Sequence, residues 1–237
     1  MEKNVALVTS RYWEGAYVCK LLAESRFNLD VFIQKTWWRN KNDFSYTREY
    51  MEKMKEFPER YFIIEDLTDN VWYIEEINSD KAIDDLKNKS YDAIVVVGSK
   101  ILKKNFIDKF RGKIINYHTG LLPQYRGPYS EFWALYNNEP NMVGTTIHLI
   151  DEGIDTGDIL KRRKVGKKYA NPTIAHIDNS VQGAKLLLET LEEYFYGGLI
   201  PTKQDENEAR YYPFPTEEQV SSLESKIGEK INLYFAD

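Results

Sequence analysis

The sequence contains a single cysteine, Cys19, in 237 residues. One cysteine excludes an internal disulfide bond and any metal site built from several thiolates. Long apolar runs are also missing: the longest, Ala93–Val97, is far shorter than the ~20 residues that a membrane span needs. The first four residues lead directly into a strand-like run, which argues against a secretory signal. We therefore predict a cytoplasmic protein with no membrane partner.

Several nucleotide-binding and hydrolase motifs are absent from the sequence. Residues 8–15 follow the first apolar run and hold one glycine, whereas a dinucleotide-binding loop needs G-x-G-x-x-G there. No Walker loop and no G-x-S-x-G nucleophile elbow occurs. The three histidines, His118, His148 and His176, form no H-E-x-x-H or similar ligand pair. We expect neither NAD nor a bound metal.

The composition is that of a folded soluble domain. Apolar residues make up 42% and aromatic residues 14% of the chain, which is too many for a disordered polypeptide. The net charge is −5, so general nucleic-acid binding is disfavoured. The length fits one domain with a small appendage.

Short apolar runs alternate with segments of helical periodicity. Strands are predicted at 5–9, 29–33, 73–77, 93–97, 114–118 and 145–150, and helices at 16–25, 43–57, 80–86 and 101–110. The run 93–97 is apolar on both faces, as a central parallel strand is. This alternation predicts an α/β fold: an open, mostly parallel, doubly wound Rossmann-like sheet.

The C-terminal third has a different pattern. Apolar positions at helical spacing predict one long helix over 173–196, which Gly197 and Gly198 end. A polar stretch with several aromatic residues follows, and a last helix begins near Thr216. We expect a catalytic domain over 1–200 and a C-terminal extension over 201–237, formed by a strand or hairpin plus a helix.

Three polar residues between 114 and 160 suggest acyl-transfer chemistry. Asn116 and His118 lie two apart at the end of a predicted strand, so both side chains point to the same face. Open α/β sheets place their sites at the carboxyl ends of strands. An amide can stabilise an oxyanion and an imidazole can handle a proton, while Asp155, in a later loop, can orient the histidine. Taken singly, each residue has an ordinary interpretation as a turn former or a structural polar group.

The order of four short motifs resembles the folate-dependent formyltransferase family. The motifs are N-x-H at 116–118, L-L-P at 121–123, G-x-T-x-H at 144–148 and D-x-G at 155–157. The sequence Y-R-G at 125–127 also matches, and the close resemblance covers about residues 91–162. One departure is Thr119-Gly120, where many members have Pro-Ser.

The resemblance implies 10-formyltetrahydrofolate as the formyl donor and Asn116, His118 and Asp155 as the catalytic trio. Two segments would enclose the pterin ring of the donor. The implied contacts are Ser99, Lys100, Ile101 and Leu102 after the central strand, and Ile150, Asp151 and Gly153 in the later loop. His148 matches a family position, but a structural role on its strand is at least as well supported.

Family members use three formyl acceptors: glycinamide ribonucleotide, methionyl-tRNA and nucleotide-linked amino sugars. The acidic chain and the short segment after Asp155 disfavour tRNA. The residues after the first strand do not resemble a phosphate loop, which disfavours glycinamide ribonucleotide. We therefore expect a nucleotide-linked amino-deoxysugar, by analogy a dTDP sugar, whose product enters a surface polysaccharide such as a lipopolysaccharide O-antigen. The alternative function that is not enzymatic is that of a nucleotide-binding module without catalytic activity.

The C-terminal aromatic residues resemble the tail of sugar N-formyltransferases. We expect the acceptor to be bound by Tyr125, Arg126, Tyr211, Tyr212 and Phe214, with the aromatic rings of the tail stacking on the base. Packing of the tail on the core is the alternative for these rings. Other large aromatic residues, among them Trp37, Trp38 and Phe195, are consistent with a homodimer surface or with core packing.

Overall fold

The structure is a computed structural model that describes residues 2–10, 13–34, 63–228 and 231. In this part of the chain seven strands form one sheet. They are β1 Asn4–Thr9, β2 Asn28–Gln34, β3 Val71–Ile74, β4 Ala93–Val97, β5 Ile114–His118, β6 Gly144–Leu149 and β7 Ile159–Lys164. The α-helices are α1 Trp13–Ala23, α2 Ile64–Leu67, α3 Asp80–Lys87, α4 Lys104–Lys109, α5 Ser130–Tyr136, α6 Pro172–Glu192 and α7 Glu217–Ile227.

The sheet is open and mostly parallel, with strand order β3-β2-β1-β4-β5-β6-β7. The strands from β3 to β5 pair in parallel, and β6 and β7 add antiparallel to that edge. The strand order reverses between β1 and β4, and open α/β sheets bind ligands beyond the carboxyl ends of the strands at such a point. The predicted fold class is confirmed.

Alternation along the central strands creates two cores. In β1, Val5 and Leu7 pack with residues of α1 and α6 on one face of the sheet, whereas Ala6 and Val8 pack with residues of α3 and α4 on the other. Every residue of β4 is buried. The apolar character of β4 on both faces follows from this position, because helices cover a parallel sheet on both sides.

Several boundaries differ from the sequence-based predictions. β3 ends at Ile74 rather than at residue 77. Helix α4 begins at Lys104 because residues 98–103 form a loop, and Lys103 at its end has an extended backbone. Strand β7 was not predicted, since its outer residues are lysine and arginine at a sheet edge, where charged side chains are common. The predicted helix over 43–57 lies outside the described residues.

In the described residues of the C-terminal part, up to 228 and at 231, the predicted helices are present and no strand or hairpin is formed. Helix α6 continues into a π-helical turn at Glu193–Gly197, and Gly198 ends it in a left-handed conformation. Residues 201–216 run extended and make two isolated bridges, from Thr202 to Ile159 and from Tyr211 to Arg126. Helix α7 then starts with a capping box between Thr216 and Gln219. This segment therefore packs across the first 200 residues instead of pairing with itself.

No helix among the described residues is long and apolar enough to cross a membrane.

Candidate active site

The candidate site lies at the carboxyl end of β5, beside β6. Alternation along β5 directs the side chains of Asn116 and His118 to one face. The antiparallel register places His148 of β6 opposite Asn116. Asp155 reaches the same place from the loop between β6 and β7, so the structure brings the predicted trio together and adds His148 to it.

The ring of His118 is held by a backbone carbonyl. Its Nε2 lies 2.8 Å from the carbonyl oxygen of Tyr125, which can only accept, so Nε2–H is the donor. The neutral ring therefore has its free lone pair at Nδ1. This atom lies 3.7 Å from Oδ2 of Asp155. The distance is too long for a hydrogen bond, but it allows a strong charge interaction when Nδ1 is protonated.

His148 is oriented in a similar way. Its Nδ1 lies 2.8 Å from the carbonyl oxygen of Leu149 and donates to it. In the neutral ring Nε2 is then an acceptor, and the side-chain amide of Asn116 donates to it across 3.1 Å. One N–H of Asn116 is thus committed to His148, which fixes the plane of the amide and leaves its second N–H available.

Asp155 is a buried carboxylate between the two imidazole rings. Its Oδ2 accepts from the backbone N–H of Gly127 at 2.9 Å, and its Oδ1 lies 3.6 Å from Nε2 of His148. Burial alone raises the pKa of Asp155, but the charge of His118, the interactions with His148 and the Gly127 N–H outweigh it. The pKa of Asp155 therefore lies well below its usual value, and the group is a carboxylate throughout the physiological range.

These side chains face a cavity of about 510 Å³, within the usual size range of ligand pockets. The cavity is lined by every residue that was expected to contact the pterin: Ser99, Lys100, Ile101, Leu102, Ile150, Asp151 and Gly153. These residues belong to two segments, 98–102 and 150–154, and every residue of both segments lines the cavity. Apolar side chains such as Ile107 complete this end of the cavity.

The loop at 150–155 is held by its own acidic residues. Oδ1 of Asp151 accepts from the backbone N–H of Gly153 and from the hydroxyl of Thr156, so this carboxylate stabilises the turn. Glu152 pairs with Lys104 at 2.6 Å on the outer surface. These contacts show that both carboxylates, although they line the cavity, are engaged by groups of the protein.

The residues expected to bind the acceptor fall into two groups. Tyr211 and Phe214 line the cavity and are 55% and 50% exposed. Tyr125, Arg126 and Tyr212 lie outside the cavity lining, and their contact with the acceptor stays a prediction. They attach the C-terminal segment.

The contacts of these three residues give the physical reason. The ring of Tyr212 stacks between Tyr125 and Trp133, with centroid distances of 5.2 and 5.1 Å. The hydroxyl of Tyr125 donates to Glu139. The guanidinium of Arg126 is buried and donates to Gln204 and Glu206. Their polar atoms are thus already engaged within the chain.

A charged cluster that the sequence did not predict lies at another part of the cavity wall. His176 of α6 lies between two carboxylates, with Nε2 3.0 Å from Glu14 and Nδ1 3.3 Å from Glu131. Asn179 donates to the same oxygen of Glu131 at 2.7 Å. The residues are far apart in sequence and meet only because α1 and α5 both pack against α6. No local pattern could have revealed them.

The cluster is an ion triad with one positive and two negative groups. Burial lowers the pKa of His176, but the charges and hydrogen bonds of Glu131 and Glu14 outweigh burial and raise it to about 10. Burial raises the pKa of Glu131, but the charge and hydrogen bond of His176 outweigh burial. The pKa of Glu131 is therefore lowered below its usual value. One negative charge remains uncompensated beside the cavity. Ser180, on the same wall, has a buried hydroxyl without a hydrogen-bond partner among the described residues.

Two further predictions concern large aromatic residues and a bound metal. Phe195 is partly buried and packs against the core, with its ring 5.9 Å from that of Phe27. Trp37 and Trp38 lie outside the described residues. Within the described part of the chain, no group of three or more histidine, cysteine or acidic residues is arranged to hold a metal ion.

Comparison with known proteins identifies one family. The family model described as formyl transferase matches residues 39–187. A methionyl-tRNA formyltransferase from Caldanaerobacter subterraneus subsp. tengcongensis is 36% identical over 143 residues, which are 60% of this chain and 46% of that protein. The chain spans about half the length of the curated relatives it matches.

Solved structures share the fold. A sugar N-formyltransferase from Shewanella sp. FDAARGOS_354 has a TM-score of 0.63 and 20% identity, over 90% of this chain and 77% of that one. WlaRD, a sugar 3N-formyl transferase crystallised in the presence of dTDP and 5-N-formyl-THF, has a TM-score of 0.62 and 16% identity, over 90% of this chain and 70% of that one. At these identities the likeness concerns the fold alone.

Proposed function

The chain belongs to the formyl transferase family, and from that premise we propose that it transfers the formyl group of 10-formyltetrahydrofolate to the amine of a nucleotide-linked amino sugar. The observation that carries the transfer reaction is the convergence of Asn116, His118 and Asp155 on one cavity. Each of the three supplies one element of acyl transfer to an amine, and no serine or cysteine nucleophile is required.

Asn116 is the oxyanion donor in this proposal. When an amine attacks the formyl carbon, a C–N bond forms and negative charge develops on the formyl oxygen. The first N–H of Asn116 is held by His148, so the second is preoriented to donate to that oxygen. Preorganised donors of this kind stabilise a transition state because they need no reorganisation during the reaction.

His118 is the proton acceptor. Its Nε2–H is engaged by Tyr125, which leaves Nδ1 to accept the proton that the attacking amine must lose. Oδ2 of Asp155 lies 3.7 Å from Nδ1, so the negative charge of the carboxylate stabilises the resulting imidazolium. The nitrogen that carried the formyl group then needs a proton as its C–N bond breaks, and protonated His118 can return one.

The donor's binding site is supported by the chemistry of the cavity wall. The lining residues Ile101, Leu102, Ile107 and Ile150 are apolar and suit a flat heterocycle, while Ser99, Lys100 and Asp151 add polar groups to the same lining. Such a mixture suits a pterin ring, which is aromatic in its centre and rich in donors and acceptors at its rim. We expect residues 98–102 and 150–153 to hold it.

The choice of a sugar acceptor is supported by the polar end of the cavity. Glu14 and His176 place a carboxylate and an imidazolium in the lining of this end. These groups match hydroxyl and amino substituents, and they are a poor match for an apolar thioether such as a methionine side chain. Tyr211 and Phe214 offer exposed aromatic surface on which a nucleobase can stack.

Methionyl-tRNA is the second candidate acceptor, because the curated relatives are methionyl-tRNA formyltransferases with 31–37% identity in the matched region. Glycinamide ribonucleotide is the third, by family membership alone. A direct assay separates them: tetrahydrofolate release from 10-formyltetrahydrofolate is followed with dTDP-, UDP- and GDP-amino sugars, glycinamide ribonucleotide and methionyl-tRNA.

We expect turnover with at least one nucleotide sugar and none with the other two acceptors. Turnover with methionyl-tRNA or glycinamide ribonucleotide alone would reassign the acceptor and keep the reaction class. If the protein binds 10-formyltetrahydrofolate but no acceptor releases tetrahydrofolate, the chain is a binding module and the catalytic proposal is wrong.

A further inference from the structure

Asp155 has a left-handed backbone conformation, which is uncommon for a residue other than glycine. Its φ is +54°, in a region where a residue with a Cβ atom is strained. Such a conformation persists only when the surroundings over-determine it. The groups that hold Asp155 therefore decide where its carboxylate lies.

Two of those groups are the amide hydrogens of Gln204. Its Nε2 donates to the carbonyl oxygens of Asp155 and Gly157, both at 2.8 Å. One carbonyl belongs to the left-handed residue itself, and the other belongs to the residue two positions after it. Gln204 lies in the extended C-terminal segment, 49 residues after Asp155. Its amide holds the turn at 155–157 through these two hydrogen bonds, which we call the Gln204 clamp.

The orientation of the Gln204 amide is fixed by Arg126. Its Oε1 accepts from Nε of Arg126 at 3.2 Å and from Nη2 at 2.9 Å. A guanidinium has donors only, so a flipped amide would set N–H groups against N–H groups. All four hydrogen-bonding positions of the Gln204 amide are consequently satisfied, which is the arrangement that makes a buried polar network rigid.

Arg126 joins this clamp to the other side of Asp155. The guanidinium is only 8% exposed, and Glu206 accepts from its two terminal nitrogens at 3.0 and 2.6 Å. The next residue, Gly127, donates its backbone N–H to the Asp155 carboxylate. One arginine and its neighbour therefore connect to Asp155 twice: through Gln204 to the backbone, and through Gly127 to the side chain.

We propose that Gln204 is a positioning residue for Asp155, that Arg126 anchors it, and that residues 204–206 thereby complete the catalytic site from the C-terminal segment. The proposal rests on the proposed function, since it takes Asp155 as catalytic. It assigns Arg126 a role in orienting a catalytic group, in place of the acceptor contact that the sequence predicted.

The consequence of losing the clamp is specific. Without the two amide donors, the turn relaxes toward negative φ, and the carboxylate moves away from Nδ1 of His118. Misplacement of a catalytic group by about 1 Å can cost on the order of 10² in rate. Binding of the formyl donor depends on other residues and changes little.

The test uses Gln204→Leu, which keeps the approximate volume and removes every hydrogen bond, and Gln204→Asn, which keeps a shorter amide. Glu208→Gln is the matched control, because Glu208 contacts Gln124 at an exposed site on the same segment. We expect kcat to fall about 10- to 100-fold in Gln204→Leu, less in Gln204→Asn, and not at all in Glu208→Gln. The KM for 10-formyltetrahydrofolate should stay within about threefold, well under the tenfold that corresponds to 1.4 kcal/mol.

A double-mutant cycle separates positioning from general structural damage. Gln204→Leu should cost almost nothing further in an Asp155→Asn background, because the group it positions is no longer there. An equal loss in both backgrounds would overturn the proposal.

A second measurement does not depend on turnover. The backbone amide proton of Gly127 reports its hydrogen bond to Asp155 by NMR, and it should shift in the same direction in Gln204→Leu and in Asp155→Asn. An unchanged Gly127 signal in folded Gln204→Leu would overturn the positioning role. This outcome is distinct from failure of the proposed function, in which the Gly127 shift appears but no acceptor is formylated.

Discussion

The side-chain amide of Asn116 donates to Nε2 of His148 at 3.1 Å across the β5–β6 pair. His148 can accept this bond because its other nitrogen donates to the carbonyl of Leu149. The histidine of the G-x-T-x-H motif thus sets the orientation of the Asn116 amide, which we propose as the oxyanion donor. This relationship and the carbonyl that holds His118 make the site rigid before any substrate binds.

Asn116→Ala removes the oxyanion donor. We expect kcat to fall by about 10²–10³, because loss of one such donor typically has that effect. The variant should fold and bind the formyl donor, since Asn116 supports no core packing. Asn207→Ala is the control: Asn207 is exposed, and the hydrogen bonds described for it stay within its own turn, to Asp205. Steady-state tetrahydrofolate release measures both, and parental turnover in Asn116→Ala would remove Asn116 from the mechanism.

His148→Phe keeps an aromatic ring and removes the acceptor that orients Asn116. We expect kcat to fall about 10- to 100-fold, as for a misplaced catalytic group. The same change should have little further effect in an Asn116→Ala background, because the two residues act as a unit. If His148→Phe were equally harmful with and without Asn116, His148 would act on the reaction directly, for example through its charge on Asp155.

His118→Ala and Asp155→Ala test the proton-transfer pair against a neighbouring carboxylate. Each should lose about 10²–10⁴ in turnover, the usual contribution of an acid–base group. Asp151→Ala should stay within about tenfold of the parent, a change of roughly 1.4 kcal/mol in barrier, because Oδ1 of Asp151 is engaged within its own loop and the residue has no part in the proton transfer. The assignment of Asp155 fails if Asp151→Ala is inactive while His118→Ala keeps near-parental turnover.

Structural features were predicted correctly where residues close together in the sequence carry the pattern. The apolar run of β4 predicted a central strand because burial on both faces is written in consecutive residues. The alternation of Asn116 and His118 likewise predicted a shared face. Strand β7 carries no such pattern, since its outer residues face solvent at the sheet edge.

The sequence predicted which residues lie near the site better than it predicted the contacts of their side chains. The motif at 125–127 does lie beside the site, but Arg126 is turned away from the cavity by Gln204 and Glu206, which follow it by 78 and 80 residues. Glu14 and His176 meet across 162 residues. Partners at such separations are set by helix packing, so composition and spacing do not reveal them.

Tyr211 and Phe214 are expected to bind the acceptor and not the formyl donor. The double change Tyr211→Ala and Phe214→Ala should raise the KM for the nucleotide sugar about tenfold or more, because stacking on one aromatic ring contributes about 1–3 kcal/mol. The KM for 10-formyltetrahydrofolate should be unchanged. Tyr196→Ala is a suitable control, since Tyr196 is also partly exposed but stacks on Phe27, outside the cavity lining. An unchanged acceptor KM would assign both rings to packing of the tail.

The pH dependence of stability should report the ion triad around His176. Because the pKa of His176 is raised to about 10, its contribution to the free energy of unfolding is complete below its unfolded pKa of about 6.5 and is lost as the pH rises toward 10. The limiting slope is about 1.4 kcal/mol per pH unit; solvent screening of the 35% exposed side chain reduces the pKa shift and so narrows the pH range over which this slope applies. His176→Gln lacks this proton, so urea unfolding at pH 6.5, 7.5, 8.5 and 9.5 should show the difference between parent and variant shrinking steadily. Groups that titrate in both proteins cancel in that difference. A difference that stays constant or grows with pH would mean that His176 is neutral between Glu14 and Glu131.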